Sequence, residues 1–554
     1  MPKKYAYQEK HCPPELLTEK LKTVNPICLD ILYGRGICAA EDMEEFLFPS
    51  LTRSLRHHPP MLDMDKAVAL LVQAVKQKTH TVVYHDYDVD GITSAAIFTE
   101  CMETLGVSVS RYCNDRVDGG FGINAAGVDE LMRQYPDTEL IVTVDNGIAG
   151  FEGVRRAKEL GLRVIVTDHH EPDTLLSVAD AVVDPKRRDE PDNQYRDTCG
   201  AGVIWKVMMS LYSALGRDAK PVMDTLDLAA LGTVADIVPL SSENRAIVQE
   251  GLQVINNGSR PFFRILAEVM KFQTIDSETI SYQIAPMINA VSRMNGNTSS
   301  VAELLLNTDE QILREGIIEL DDYNQARRQE TAREVELATA TLGDNFNKSV
   351  VIFKDASLQE GIVGIVAGQL KEQMGRPALV FAQNKDGNWK GSCRSMDGFH
   401  MKEALDQCAE YLIVYGGHAK AAGVTVKADC FDAFQAKMEQ LASKAVIAEE
   451  STIIDAVLPS GQYTERMVRE LSILAPFGEG FQKPVFGLVA DIVDMRFMGQ
   501  EQQHVKYIDR TGLAVIQWGQ GEQAKLRKKV PCKFVGYPQL NNWNGTVSVQ
   551  FVCH

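Results

Sequence analysis

Between residues 80 and 168, a short run of β-branched and apolar residues ends three times on an aspartate: HTVVYHD, ELIVTVD and RVIVTD. Helical periods stand between these runs (GITSAAIFTECMETLG and AGFEGVRRAKELG), and a further strand-like run, VSVSRY, follows the first helix. Short apolar strands alternating with helices form βαβ units, so this stretch is constrained to a parallel sheet covered by helices on both faces. In such a sheet the ligand crevice lies beyond the carboxyl ends of the strands. All three aspartate groups fall there, and independent surface turns would not be expected to coincide in that way.

The first group is HDYDVDG, with Asp86, Asp88 and Asp90 alternating after a buried strand. Carboxylates this close repel unless a cation compensates them. A calcium loop of the helix–loop–helix type fits Asp86, Asp88, Asp90 and Gly91, but fails at its twelfth position, where Ile97 replaces the required glutamate, and on its strand flank. A solvated acidic turn capping the next helix is the plain alternative. The second group, TVDNGI, places Asp145 in what is also a common turn sequence. The third, TDHHEP, carries Asp168, His169 and His170. Consecutive side chains in extended backbone diverge, so the two histidines are expected to do different jobs, one ligating and one facing substrate. Asp236, in the apolar stretch LGTVADIVPL, is either a helix-end cap or a ligand brought in from elsewhere. Aspartates with histidine and without thiolates favour manganese or magnesium over structural zinc. A carboxylate bridging two such ions would serve phosphodiester hydrolysis.

After residue 240 helical patterns dominate, and Asp309 to Leu342 reads as one or two long helices bridging domains. A second α/β pattern follows (SVVIFK, GIVGIVAGQLKEQMG, ALVFAQ), with glycine turns expected at 416 and 417. The last hundred residues are strand-like and suit a small β-barrel. The first 60 residues carry no strong signal, and RSLRHHPP reads as a linker. The formal charge of −18, from 75 acidic and 57 basic residues, argues against indiscriminate adhesion to nucleic acid or anionic membrane but allows a local basic groove. The 11 cysteines form no C-x-x-C pair, which argues against both a cysteine zinc site and a disulfide framework. No signal-like start or apolar run of about 18 residues occurs, so a cytoplasmic protein is expected.

The order HDYDVDG, VDNGI, TDHHEP, LGTVADIVP resembles the motifs of the DHH phosphoesterase superfamily. TCGAGVIWK, IAPMINAVSRM, GGHAKAAG and PFGEGFQKPVF narrow the resemblance to the RecJ family of single-strand-specific 5′ to 3′ exonucleases. The resemblance implies an α/β architecture with an N-terminal segment (1–60), a parallel-sheet DHH domain (61–240), a helical region (241–345), an α/β DHH-associated domain (346–448) and a C-terminal OB-fold β-barrel (449–554). It implies two Mn2+ or Mg2+ ions. Asp88 and Asp145 would hold one, assisted by Asp86; Asp90, Asp145, His169 and Asp236 would hold the other. Asp168 would orient a histidine, and His170 would contact the scissile phosphate or leaving group. Arg116, Ser392 and Arg394 match the pocket for the terminal 5′ phosphate, while Asn289, Arg293 and His418 fall where the family approaches the substrate chain.

Three positions depart from the family pattern: His85 in place of glycine, Met287 in place of a frequent arginine, and Asp184 in place of asparagine. In the C-terminal region, Tyr507, Trp518, Tyr537 and Trp543, with Lys506, Arg510, Lys525, Arg527, Lys528, Lys529 and Lys533, are candidates for stacking bases and following phosphates, or equally for barrel core. The expected substrate is single-stranded DNA and the expected setting DNA repair and recombination. Single-strand-binding protein and a helicase are the expected partners of a monomeric enzyme. The rival readings are a DHH phosphodiesterase acting on short RNA, oligonucleotides or cyclic dinucleotides, and a catalytically inactive scaffold that binds single strands or replication proteins.

Overall fold

The computed structural model describes residues 4–7, 9–53, 60–114, 120, 122–172, 178–191, 195–343, 347–447, 451–521, 532–543 and 545–553. The chain divides into two compact units, one of residues 59–236 and 250–449, the other of residues 2–58, 237–249 and 450–554. Strand β1 (Lys4–Tyr7) belongs to the second unit. The next five, β2 (Thr81–His85), β3 (Val109–Tyr112), β4 (Leu140–Val144), β5 (Arg163–Thr167) and β6 (Ala181–Val183), form a sheet in the order β3-β2-β4-β5-β6.

Every pair in this sheet is parallel. Strands β2 and β4 are buried along their whole length, as their unbroken apolar runs require. The register places His85 beside Val144, Val144 beside Thr167, and Thr167 beside Val183. The first residues beyond these four strands are therefore Asp86, Asp145, Asp168 and Asp184, neighbours along one sheet edge. Helix Val89–Thr104 follows β2 and is buried around most of its circumference, packed against helices Gly200–Ala214 and Leu226–Ala235.

A single helix of 33 residues, Glu310–Leu342, forms the connector, with Asp309 capping its start by accepting from the Gln311 and Ile312 amides. Beyond it, β7 (Val351–Lys354), β8 (Ala378–Gln383), β9 (Trp389–Arg394), β10 (Leu412–Gly417) and β11 (Ala421–Val426) build a sheet in the order β10-β11-β9-β8-β7. Gly416 and Gly417 are not the turn expected from their sequence. They end strand β10, paired with Gly423 and Ala422, and the turn lies just beyond them.

In the second unit β12 (Ser451–Ile454) pairs in parallel with β1. Strands β13 (Ala456–Pro459), β14 (Phe486–Ala490), β15 (Ile492–Met498), β16 (His504–Asp509), β17 (Ala514–Gln517), β18 (Cys532–Trp543) and β19 (Thr546–Cys553) make a mixed sheet ordered β13-β14-β18-β19-β17-β16-β15. It curls as a half-barrel. The first 60 residues contribute helices Pro26–Gly34 and Ala40–Leu47, whose Leu29, Leu32 and Met43 share one core with Leu471, Phe486 and Phe551. Buried Arg245 joins the same segments: its guanidinium stacks 3.6 Å from the Phe46 ring centroid and donates to the carbonyls of Phe46, Leu474, Ala475 and Pro476. The expected linker RSLRHHPP lies largely outside the described residues. Among the described residues no helix is long and apolar enough to cross a membrane.

Candidate metal centre and nucleic-acid site

The carboxyl edge of the first sheet gathers the acidic and histidine motifs. Ligand atoms of Asp86, Asp88 and Asp145 lie within 4.8 Å of one another; so do those of Asp90, His169 and Asp236, and those of Asp145, His169 and His170. Asp145 and His169 thus each belong to two groups. Nε2 of His169 stands 3.0 Å from Asp145, 3.6 Å from Asp90 and 3.7 Å from Asp236.

Each side chain is held by the local fold. Asp88 caps helix Val89–Thr104 by accepting from the Gly91 amide. Asp90, the second residue of that helix, accepts from the Gly200 and Ala201 amides at 2.6 and 2.8 Å, where a helix N-terminus favours negative charge. Asp145 leaves β4 in the left-handed region, at φ 60°. Asn146 pins that turn, donating to the carbonyls of Tyr84 and Val144 while accepting from the Ile123 amide. Asp236 occupies the C-cap position of helix Leu226–Ala235, so the cap and the ligand readings describe the same residue.

Two glycines make this crowding possible. A Cβ at Gly200 would lie 2.7 Å from that of Asp145, and one at Gly232 would lie 2.8 Å from Asp90 Oδ1. Neither stands out in the sequence, because the partner is more than 50 residues away.

The two histidines divide as their surroundings dictate. Asp168 Oδ2 accepts from the Ile148 amide, and its Oδ1 accepts from the His169 and His170 amides and from Nδ1–H of His170 at 2.7 Å. That bond directs the other nitrogen of His170 outward from a half-exposed ring. His169 is buried, and among the described residues neither of its ring nitrogens makes a hydrogen bond, nor does Oδ1 of Asp145 despite its 3.0 Å approach to Nε2. The rings do not diverge fully: their centroids are 4.5 Å apart, because the backbone leaves the extended conformation after β5.

The electrostatics are those of a site built for cations. Burial, then repulsion from Asp88, raises Asp90 to about 6. Burial, then the charges of Asp90 and Asp88, raises Asp236 to about 8, and Asp145 is pushed well above the carboxylate range by burial and by Asp90. Burial, reinforced by His170, lowers His169 to about 3, keeping its imidazole neutral and free to ligate. Against the effect of burial, the bond to Asp168 and that residue's charge raise His170 to about 9. Buried polar atoms without partners are costly. A neutral imidazole and clustered oxygens therefore fit a hard divalent cation such as Mn2+ or Mg2+.

Other expected residues fall at varying distances from this cluster. Oδ1 of Asn289 accepts from the Val89 amide at 3.2 Å, at the start of the helix that carries Asp90. Arg293 donates to the Gly361 carbonyl at 3.2 Å, and Arg394 donates to Ser392 Oγ at 2.8 Å. His418 is exposed in the turn between β10 and β11. Arg116 lies outside the described residues, as do Lys525, Arg527, Lys528 and Lys529. Tyr507 and Tyr537 belong to the core of the second unit, whereas Trp518 is 56 % exposed, edge-on to His504. The described part of Trp543 is its backbone in β18.

The departures resolve individually. Met287 is buried, so it does not reach a substrate phosphate. His85 is buried, donates from Nδ1 to the Asp86 carbonyl and joins none of the candidate metal groups; burial lowers it to about 4. Asp184 is fully buried, with Oδ2 unbonded among the described residues, while its Oδ1 accepts from the Lys186 amide. That bond folds Lys186 back to the sheet edge, where its charge acts on His169 and Asp236; no local pattern marks this lysine in the chain. Burial and then the charge of Asp168 raise Asp184 to about 7, far above its unfolded value. Between about pH 4 and 7 the folded state holds a proton that the unfolded state lacks, so stability falls as pH rises through this window. Asp184→Asn is therefore expected to raise the thermal midpoint, by a margin that grows from about pH 4 and levels off above about pH 7. Melting curves across pH 5–8 test this, and a pH-independent difference would overturn it.

Residues 80–233 match the DHH family N-terminal domain, residues 347–444 the DHHA1 domain and residues 454–554 the RecJ OB domain. The single-stranded-DNA-specific exonuclease RecJ of Escherichia coli is 31% identical, over 87% of this chain and 86% of the relative. That of Bacillus subtilis is 32% identical, over 97% of this chain and 68% of the relative. The crystal structure of RecJ from Thermus thermophilus in complex with Mn2+ superposes with a TM-score of 0.84 at 29% identity, covering 100% of this chain and 79% of that one. On the strength of three domain matches in order and relatives this similar over most of both chains, the chain belongs to the RecJ family of single-stranded-DNA-specific exonucleases.

Proposed function

We propose that the protein is a divalent-metal-dependent exonuclease that hydrolyses single-stranded DNA from its 5′ end. The observation that carries this reading is the complete carboxylate–histidine cluster, with unbonded buried ligand atoms on Asp145 and His169, in a chain of the RecJ family. Asp86, Asp88 and Asp145 would hold one Mn2+ or Mg2+, and Asp90, His169 and Asp236, with Asp145 between the two groups, would hold a second. Two such ions supply Lewis-acid activation of water and neutralise charge on the phosphoryl group.

The chain's own residues do the rest. Asp168 fixes the tautomer of His170, so that Nε2–H points outward and can donate to a phosphate oxygen or the leaving group. Asn289 and Arg293 would guide the strand toward the cluster. Ser392 and Arg394 would hold the terminal 5′ phosphate, a task suited to a planar guanidinium fork. Exposed Trp518 offers a stacking surface for bases. The reading extends to repair and recombination in the cytoplasm, with single-strand-binding protein and a helicase delivering substrate to a monomer.

The inactive-scaffold alternative is disfavoured because such proteins lack metal ligands, whereas every expected ligand here stands in the cluster. The test is digestion of 5′-labelled and 3′-labelled single strands with and without manganese. The 5′ label should be released first, as a mononucleotide, and only with metal. Early release of the 3′ label would overturn the polarity, and intact strands across a range of lengths would favour the scaffold.

A further inference from the structure

The helix Val363–Met374 is preceded by Gly361, and its second residue is Gly364. Both glycines sit at contact points. A Cβ at Gly361 would lie 2.1 Å from the Arg293 carbonyl oxygen, and one at Gly364 would lie 2.9 Å from Arg394 Nη2 and 3.0 Å from Ser392 Oγ. Gly364 has ordinary helical backbone, with no positive φ, so its conformation does not call for glycine. Glycine inside a helix costs about 0.5–1 kcal/mol relative to alanine. The space it leaves beside Arg394 accounts for its presence.

That space is well placed for an anion. Arg394 uses Nη1 to reach Ser392 Oγ and the Cys393 carbonyl, at 2.8 and 2.9 Å, and its Nη2 makes no hydrogen bond among the described residues. No carboxylate among the described residues pairs with it, although Glu372 lies farther along the same groove, which Gly364, Gly368 and Gln369 also line. A guanidinium with free donors, a hydroxyl and the positive end of a helix converge on the gap.

We propose that Gly364 is the positioning residue for terminal-phosphate recognition: by lacking a side chain, it lets Arg394 hold its free donors toward a 5′ phosphate seated on Ser392. The inference rests on the reading of Ser392 and Arg394 as the terminal-phosphate pocket. Because the atom that a methyl group would meet is the far end of a flexible side chain, Gly364→Ala should fold normally while displacing the Arg394 fork.

The experiment measures kcat and KM for 5′-phosphorylated and 5′-hydroxyl single strands of one sequence, with melting curves for each protein. The wild type should prefer the phosphorylated strand. Gly364→Ala should lower that preference about 10- to 100-fold, as loss of one charge-assisted hydrogen bond does, with most of the change in KM. Gly34→Ala, at the end of helix Pro26–Gly34 with nothing within 4 Å of the new methyl among the described residues, should keep it. In an Arg394→Gln background, Gly364→Ala should add less than about twofold, because the two act through the same contact. A wild-type preference retained by Gly364→Ala, or additive effects in the double variant, would overturn the role of Gly364 alone. A wild type indifferent to the 5′ phosphate would overturn the pocket reading and the inference with it.

Discussion

Asp145→Asn is expected to lower kcat by at least about a thousandfold while leaving the thermal midpoint of the metal-free protein unchanged or higher. The activity side follows from position. Asp145 belongs to two of the three candidate metal groups, so no other carboxylate can substitute for it in both. The stability side follows from charge: Asp145 is buried among Asp86, Asp88, Asp90 and Asp236, and neutralising it removes that repulsion. Asparagine is a better test than alanine. At φ 60° alanine would add backbone strain of about 1 kcal/mol, whereas asparagine tolerates the left-handed region and preserves the volume beside Gly200. Steady-state digestion and thermal melting of the same preparations check both halves. Retention of more than about a tenth of wild-type turnover would remove Asp145 from the proposed ligand set.

The carboxyl edge of the sheet was legible from the chain because its information is local: an apolar run long enough for a strand, then an aspartate, repeated. The register of β2, β4 and β5 turned that repetition into adjacency. What stayed hidden depends on residues far apart in sequence. The N-terminal helices have ordinary local patterns, and their core partners lie more than 400 residues away. The roles of Gly200 and Gly232 appear only once Asp145 and Asp90 are brought against them. Gly416 and Gly417 suggested a turn through composition, but ladder pairing with β11 keeps them in strand β10. For Tyr507 and Trp518 the alternation of the barrel strands left stacking surface and core equally open, and burial separated them.

Removing divalent metal is expected to abolish digestion and to make stability depend on pH in a direction the acidic cluster dictates. In the metal-free protein burial and mutual repulsion raise Asp90 to about 6 and Asp236 to about 8, from an ordinary value of 3.8, and raise Asp145 as well. The folded state thus holds protons that the unfolded state releases, and its stability falls as pH rises from about 4 to about 8. A cation at the cluster replaces those protons, so metal binding should release protons and strengthen with pH. At a hundredfold excess over its dissociation constant, a ligand contributes about 2.7 kcal/mol, enough to move the midpoint by a few degrees. The manganese-induced shift in melting temperature should therefore grow between pH 5 and pH 8, vanish with a chelator, and shrink markedly in Asp145→Asn. Calorimetric titration of manganese in two buffers of different ionisation enthalpy would count the protons released. A shift that is the same at pH 5 and pH 8, or the same in Asp145→Asn, would place the ion elsewhere on the protein. Digestion that persists in excess chelator would end the metal-dependent reading.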